Sequence, residues 1–252
     1  MSAINVNTLR CRECSHIADC ILFGLGEELS QVVRFLQLIR CEVKRPSRYT
    51  DIPVIPGYYI VCEGKGMVIT TIPEGKRLVT QILKAGDGLM VSPHWSEGRY
   101  NTFIRAFERT VIRFIRESDL LELQRQYPSI GLRLLKKFDQ QVCLLREKLI
   151  DVAYAGTKAR VAALILELKE VGLLEEVRFS QEELAEMVGI SREMLNRRLK
   201  ELAKRGLVAL KGHRIHLLEP EALARIAKGV ANTGQNLRPS GRLFANRGAM
   251  LG

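Results

Sequence analysis

The spacing of apolar positions changes period along this chain, and each change predicts a different kind of element. Between Ile39 and Phe114, short β-branched and aromatic runs are punctuated by Gly and Pro: Tyr58 to Cys62, Met67 to Ile72, Arg77 to Leu83 and Thr110 to Ile115. The segment Pro53-Val54-Ile55-Pro56-Gly57 reads as a further run of this kind. Recurrence at roughly eight to twelve residues predicts an antiparallel sandwich or barrel. The glycines of Glu63-Gly64-Lys65-Gly66, Pro73-Glu74-Gly75-Lys76 and Ala85-Gly86-Asp87-Gly88 read as turn formers. After Pro128 the period becomes helical. Leu135, Phe138, Val142, Leu145, Leu149 and Val152 alternate spacings of three and four, an a/d seam that asks for a partner helix. A second copy of this chain would supply one. Cys143, inside the same pattern, reads as a small core residue.

From Phe179 to Pro220 the pattern changes again. Ser180 stands three residues before Glu183, the capping-box arrangement. Leu184, Ala185 and Val188 give the helix that follows an inward face, and Gly189 permits a tight turn. Ser191 caps a second helix, in which Leu195, Leu199 and Leu202 fall on one stripe. That leaves Ser191, Arg192, Glu193, Asn196, Arg197 and Lys200 outside. Arg suits guanine O6 and N7, Glu suits cytosine N4 and Asn suits adenine, so this face has the groups that major-groove readout uses. Leu207 to Leu210 and Ile215 to Leu218 read as strands around a basic turn, Lys211-Gly212-His213-Arg214, placed to meet phosphate. Cap, turn glycine, stripe and wing agree in order and spacing, which an ordinary helical hairpin with a solvated charged face does not require. The whole predicts a winged helix-turn-helix.

Charge supports a polyanionic partner: the 252 residues carry a net +11, with a pI near 9.6. Double-stranded DNA is the simplest one, and a two-fold protein would match a palindromic operator. No apolar run is long enough to cross a membrane, and MSAINVNTLRCREC lacks the apolar core of a signal peptide, so a cytoplasmic protein is expected. No grouping of nucleophile, base and orienting residue points to an enzyme; His16, His94, His213 and His216 lie in unrelated segments.

Six cysteines in such a chain are not expected to form a disulfide framework. Cys11, Cys14 and Cys20 stand as C-x2-C-x5-C. Thiolates so grouped are the usual ligands of iron–sulfur clusters and structural zinc, because soft sulfur binds those metals and short loops let several sulfurs converge. An exposed tail with incidental cysteines is the alternative. Three sulfurs leave one position to fill. Cys62, Cys41, His16, Asp19 or a small molecule could fill it, and Cys143 is a weaker candidate.

Cysteine-bearing N-terminus, β-roll, dimer helix and winged helix-turn-helix, in that order, resemble the CRP/FNR superfamily of bacterial transcription regulators from about Cys11 to Leu223. Gly189-Ile190-Ser191-Arg192-Glu193-Met194-Leu195-Asn196-Arg197 is similar to the family's recognition-helix pattern S-R-E-x-x-x-R. The resemblance implies an α+β fold: an antiparallel β-roll like the cyclic-nucleotide-binding jelly roll, a long dimerisation helix and a C-terminal winged helix-turn-helix. It also implies a homodimer that reads G·C pairs through Arg192, Glu193 and Arg197, with RNA polymerase as a further partner. Asn196 stands where well-known members have a smaller residue. Cyclic-nucleotide binders carry F-G-E-x-A-L followed by R-S or R-T. Here the matching stretch is Gly88-Leu89-Met90-Val91-Ser92-Pro93-His94-Trp95, with Arg99-Tyr100 or Arg105-Ala106 in place of the arginine pair, so a cyclic-nucleotide sensor is disfavoured. The FNR-like branch holds a [4Fe–4S] cluster on a triplet of the same spacing, which assigns Cys11, Cys14 and Cys20 to a cluster. Its fourth cysteine comes from the strand aligned with Val111 to Phe114, where this chain has Arg113. Either Cys62 replaces it, or the cluster has a non-cysteine ligand, or the site holds something other than a cubane; the alternatives are a zinc- or thiol-based redox regulator of the same fold, or a protein that binds DNA constitutively without a ligand. The expected segments are 1–23 with the cysteines, 24–127 as the β-roll, 128–155 as the dimerisation helix, 156–229 as the DNA-binding domain and 230–252 as a basic, flexible tail.

Overall fold

A computed structural model describes residues 11, 13–41, 50–72, 74–92, 101–177, 179–211 and 214–228. The expectations for His94, Trp95, Arg99, His213 and the 230–252 tail fall outside these residues. Two compact units divide the chain: the described parts of Met1–Lys76 with Ile82–Gln140, and Arg77–Gln81 with the described part of Gln141–Ala245. Among the described residues no helix is long and apolar enough to cross a membrane.

The first unit contains two four-stranded antiparallel sheets. One has the order β1 (Gln37–Cys41), β8 (Thr110–Arg116), β3 (Gly57–Glu63), β6 (Gly88–Val91). The other runs β2 (Thr50–Pro53), β7 (Asn101–Ala106), β4 (Lys65–Thr71), β5 (Arg77–Lys84). Alternation explains how both faces of the first sheet are used. Tyr59, Val61, Ile112 and Phe114 point into the space between the sheets, where they meet Ile52, Val68, Leu83 and Ile104. Tyr58, Ile60 and Ile115 point the other way, into a second core with Cys11, Ile21, Leu22 and Leu25. A sheet covered on both faces reads as continuous apolar runs, which is why β3 and β8 stood out in the sequence.

The run Pro53–Gly57 departs from expectation. Pro53 ends β2 and Gly57 opens β3, with Val54, Ile55 and Pro56 outside both strands. Gly57 has φ of +145°, and a Cβ there would lie 2.4 Å from the Ile115 carbonyl oxygen, so the close approach of β8 explains a glycine at the first position of β3.

Helices follow: α1 (Leu29–Val32), α2 (Glu117–Gln126) and the long α3 (Pro128–Tyr154). Pro128 occupies the first turn, where a missing N–H costs nothing. Ile130 and Leu134 on α3 join the cysteine-side core of the first unit. The seam residues behave otherwise: Leu135, Phe138, Leu145, Leu149 and Val152 are all exposed, and Val142 is half-buried. Cys143 is exposed too. This corrects its reading as a core residue, since it stands beside the seam on a face that α3 leaves open within its own chain.

In the second unit, α4 (Thr157–Glu170) packs with α7 (Arg192–Lys204) and α8 (Pro220–Ala227), and α6 (Gln181–Val188) with α7. Short α5 (Leu173–Glu176) and the hairpin β9 (Val208–Lys211) to β10 (Arg214–Leu217) complete it. Lys148 on α3 and Glu167 on α4, 8% and 3% exposed, are electrostatically coupled here. Burial lowers the Lys148 pKa to about 8 and raises that of Glu167.

Candidate functional site

The helix expected to carry the base-reading face is α7, and its geometry follows from the local sequence. The preceding helix α6 begins with the full capping box: Glu183 N donates to Ser180 Oγ at 3.1 Å and Ser180 N donates to Glu183 Oε2 at 2.7 Å. Gly189 ends α6 at φ +71°, a left-handed conformation that turns the chain at once toward α7. Ser191 Oγ then accepts from Met194 N at 3.2 Å. Leu195, Leu199 and Leu202 are buried, as the stripe required. Arg192, Glu193, Arg197 and Lys200 are exposed on the opposite side, with Asn196 half-buried at its margin. The Glu193 carboxyl lies below its usual range because its own backbone N–H, and then the Ser191 hydroxyl, donate to it. It therefore presents an ionised acceptor. Arg197 leans on Met194, with Nη2 at 2.9 Å from Sδ. Lys211 is exposed at the end of β9.

Arg198, beside these residues in sequence, is turned inward. Its Nε donates to Thr157 Oγ1 at 2.8 Å and its Nη1 reaches both Glu201 carboxylate oxygens at 2.9 Å. A charge in the reading helix that points away from the outer face thus ties α7 to the start of α4.

A second concentration of chemistry lies in the first unit. A cavity of about 500 Å³ is lined by Cys11, Cys14 and Cys62 together with His16, Arg40 and Arg113. Cys62 comes from β3 and Arg113 from β8; these strands pair directly, with Ile60 opposite Arg113. Arg113 is 3% exposed. Its charge is electrostatically coupled to Cys62 and Cys11, opposing the upward push of burial on both thiols. Cys20 is electrostatically coupled to Cys62, Cys11 and Cys14. Burial is the main influence on these thiols: it raises Cys11, pushes Cys62 up to about 11 and Cys20 up to about 12. Among the described residues, no three His, Cys, Asp or Glu side chains are gathered closely enough to hold a metal ion.

Comparison with known proteins bears on the helix-turn-helix region and on the fold. Residues 159–226 match the Crp-like helix-turn-helix domain. Across 178 residues, the chain is 27% identical to the CRP-like cAMP-activated global transcriptional regulator of Mycobacterium tuberculosis, covering 68% of this chain and 79% of that protein. A solved CRP/FNR-family transcriptional regulator from Eubacterium rectale superposes with a TM-score of 0.67 at 19% identity, over 81% of this chain and 98% of that one. A CRP/FNR-family regulator from Thermus thermophilus gives 0.61 at 22% identity, over 76% and 98%. Residues 159–226 thus form a Crp-like helix-turn-helix domain, and the fold of the chain is similar to that of the solved CRP/FNR-family regulators.

Within this fold, the predicted site residues divide by location. Ser191, Arg192, Glu193, Asn196, Arg197 and Lys200 share one helix. Cys11, Cys14 and Cys62, distant in sequence, line one cavity, and Cys20 lies within electrostatic reach of it. His16 also lines the cavity, whereas Cys41 ends β1 and its side chain falls outside the described residues. Cys143 belongs to α3 and does not line it. Arg40, Glu13 and Glu63 also line it and were missed by sequence reasoning; nothing in their local pattern distinguishes them from solvated charges. Arg105, one of the positions matched to the cyclic-nucleotide arginine pair, is 3% exposed and forms a two-pronged ion pair with Asp51 on the neighbouring strand, at 2.7 and 2.9 Å.

Proposed function

We propose that this chain is a DNA-binding transcription regulator, a homodimer whose operator binding follows the state of an iron–sulfur cluster held by Cys11, Cys14, Cys20 and Cys62. The observation that carries the reading is the opening of Cys11, Cys14 and Cys62 onto a single cavity, with Cys20 coupled to all three. Four soft sulfur donors fit such a group by type, and the cavity leaves room between them. An iron–sulfur group, when bound, supplies redox and oxygen-sensitive chemistry that thiols and histidines alone do not. Holding it requires the sulfurs to draw together, since no three are gathered at metal-binding distance among the described residues. Such a closure would act on α3: Ile21, Leu22 and Leu25, which follow the triplet directly, share one core with Ile130 and Leu134. Arg133 adds a cation–π contact, 4.8 Å from the Phe23 ring centroid. The seam farther along α3 supplies the surface for a second copy.

A simple thiol switch is less well supported. Reactive sensor cysteines are low-pKa thiolates, whereas burial here favours the protonated thiols. Zinc on the same sulfurs stays open to metal analysis. The cAMP activation named for the Mycobacterium tuberculosis protein finds less support in this chain, where Asp51 already engages Arg105. The test is anaerobic purification followed by iron, zinc and acid-labile sulfide determination, with operator affinity measured before and after exposure to air. Iron and sulfide in equal amounts, lost in air together with a change in affinity, are expected. Protein that holds neither, with affinity indifferent to air, contradicts the reading.

A further inference from the structure

The apolar stripe of α7 decides which side of that helix faces inward, but it does less to fix the rotation of the helix about its axis. Leu195, Leu199 and Leu202 are held by burial, which is non-directional. Hydrogen bonds are directional, and one side chain of α7 makes a set of them that reaches another segment. Arg198 Nε donates to Thr157 Oγ1 at 2.8 Å, forty-one residues away in sequence, while Nη1 donates to both carboxylate oxygens of Glu201 at 2.9 Å. Glu201 stands one turn along α7 and so steadies the guanidinium plane from the same helix. Thr157 is the first residue of α4 and follows the end of α3 by three residues.

Two features argue that this clamp serves geometry rather than stability. A cation beside a helix N-terminus meets the positive end of the helix dipole, so the Arg198 guanidinium does not favour α4 electrostatically. Its pairing with Glu201 is a partly exposed i, i+3 contact, a kind that contributes little. What the arrangement does supply is a fixed direction. Successive residues of a helix point about 100° apart, so the direction of Arg197 follows from where Arg198 is anchored. We infer that Arg198 is a positioning residue for sequence readout: its grip on Thr157 sets the rotation of α7, and with it the angle at which Glu193, Asn196 and Arg197 meet base edges. The inference rests on the reading of α7 as the helix that enters the major groove, and goes beyond it by placing discrimination in a residue that touches no base.

The experiment uses the full-length wild type, Arg198→Met, Thr157→Val, Thr157→Ser and the double variant Arg198→Met with Thr157→Val, all purified under the same anaerobic conditions. Binding is titrated on a palindromic duplex that the wild type selects from a randomised pool, on that duplex with single pairs changed, and on random DNA, each over a range of salt. Melting verifies that each variant keeps its fold. Arg198→Met and Thr157→Val should each bind the selected duplex about 10-fold more weakly. Both should lose preference among the single-pair changes, with random-DNA affinity and salt slope as in the wild type. The double variant should be no worse than either single, because both cut the same link. Thr157→Ser keeps the acceptor and should bind as the wild type does. If Arg198→Met does not fold, the contrast between Thr157→Val and Thr157→Ser decides. Equal loss on selected and random DNA, with a salt slope smaller by about one, would make Arg198 a phosphate contact and overturn the inference. Unchanged discrimination in folded Arg198→Met or Thr157→Val also overturns it, while leaving the DNA reading of α7 intact. Wild type that selects no sequence overturns that reading itself.

Discussion

Glu193 and Lys200 share the outer face of α7 yet should fail differently when truncated. A carboxylate aimed at a base edge discriminates between sequences. A lysine on phosphate does not. Glu193→Ala is therefore expected to cost about 1–3 kcal/mol at one base pair and to relax preference there. Lys200→Ala should weaken all sequences alike and reduce the salt slope by about one. Binding titrations on operator, single-pair variants and random DNA separate the two, and equal losses on specific and random DNA for Glu193→Ala would contradict its role. Ser180→Ala removes one half of a reciprocal cap and should cost about 1 kcal/mol of stability, read from denaturant melting. The cap and the outer face were legible in sequence because each depends on residues three or four apart. Arg198 was not distinguishable from Arg197 by residue type. Its inward turn depends on Thr157, forty-one positions away, a contact no local pattern announces.

Among the elements, α3 shows how one helix can divide its surface. Ile130 and Leu134 serve the first unit's core, while Leu135, Phe138, Leu145, Leu149 and Val152 stay exposed. Leu149→Asp puts a charge into the proposed dimer seam. It should shift sedimentation toward the monomer and weaken binding to a two-half-site operator far more than to a single half-site. Periodicity revealed this seam but misjudged Cys143, since a residue next to an a/d stripe is buried only if another chain covers it. Farther along, Lys148 and Glu167 form a coupled pair in the second unit, and Lys148 also donates to the Val79 carbonyl. Each group is buried and coupled to the other, so Lys148→Met or Glu167→Leu alone should change stability, as read from denaturant melting. The double variant should cost less than their sum, a coupling that a double-mutant cycle measures directly. Neither residue signalled its burial in sequence, because Lys148 lies among the charged positions around the seam and Glu167 in a helix whose packing partners lie in other segments.

At the scale of the whole molecule, a net charge of +11 implies that DNA affinity falls steeply with salt. The logarithmic slope should be about −0.9 for each phosphate neutralised. The fold was readable because strand spacing, seam and capping signals occur in order along the chain. The cavity was readable only in part: the triplet is local, but Cys62 reaches it through the pairing of β3 with β8, and Arg40 through that of β1 with β8. That pairing contains a register shift between Val61 and Glu63, with Val61 opposite Ile112 and Glu63 opposite Val111, so Cys62 is the extra residue of a bulge. Deleting Val61 would let the ladder run evenly, with Cys62 taking the place opposite Ile112. Its sulfur would then point into the space between the two sheets, because a one-residue slip exchanges the faces of a strand. The chain would keep every cysteine and the cavity would lose one. At this point chain length, rather than residue identity, sets which atoms the cavity contains.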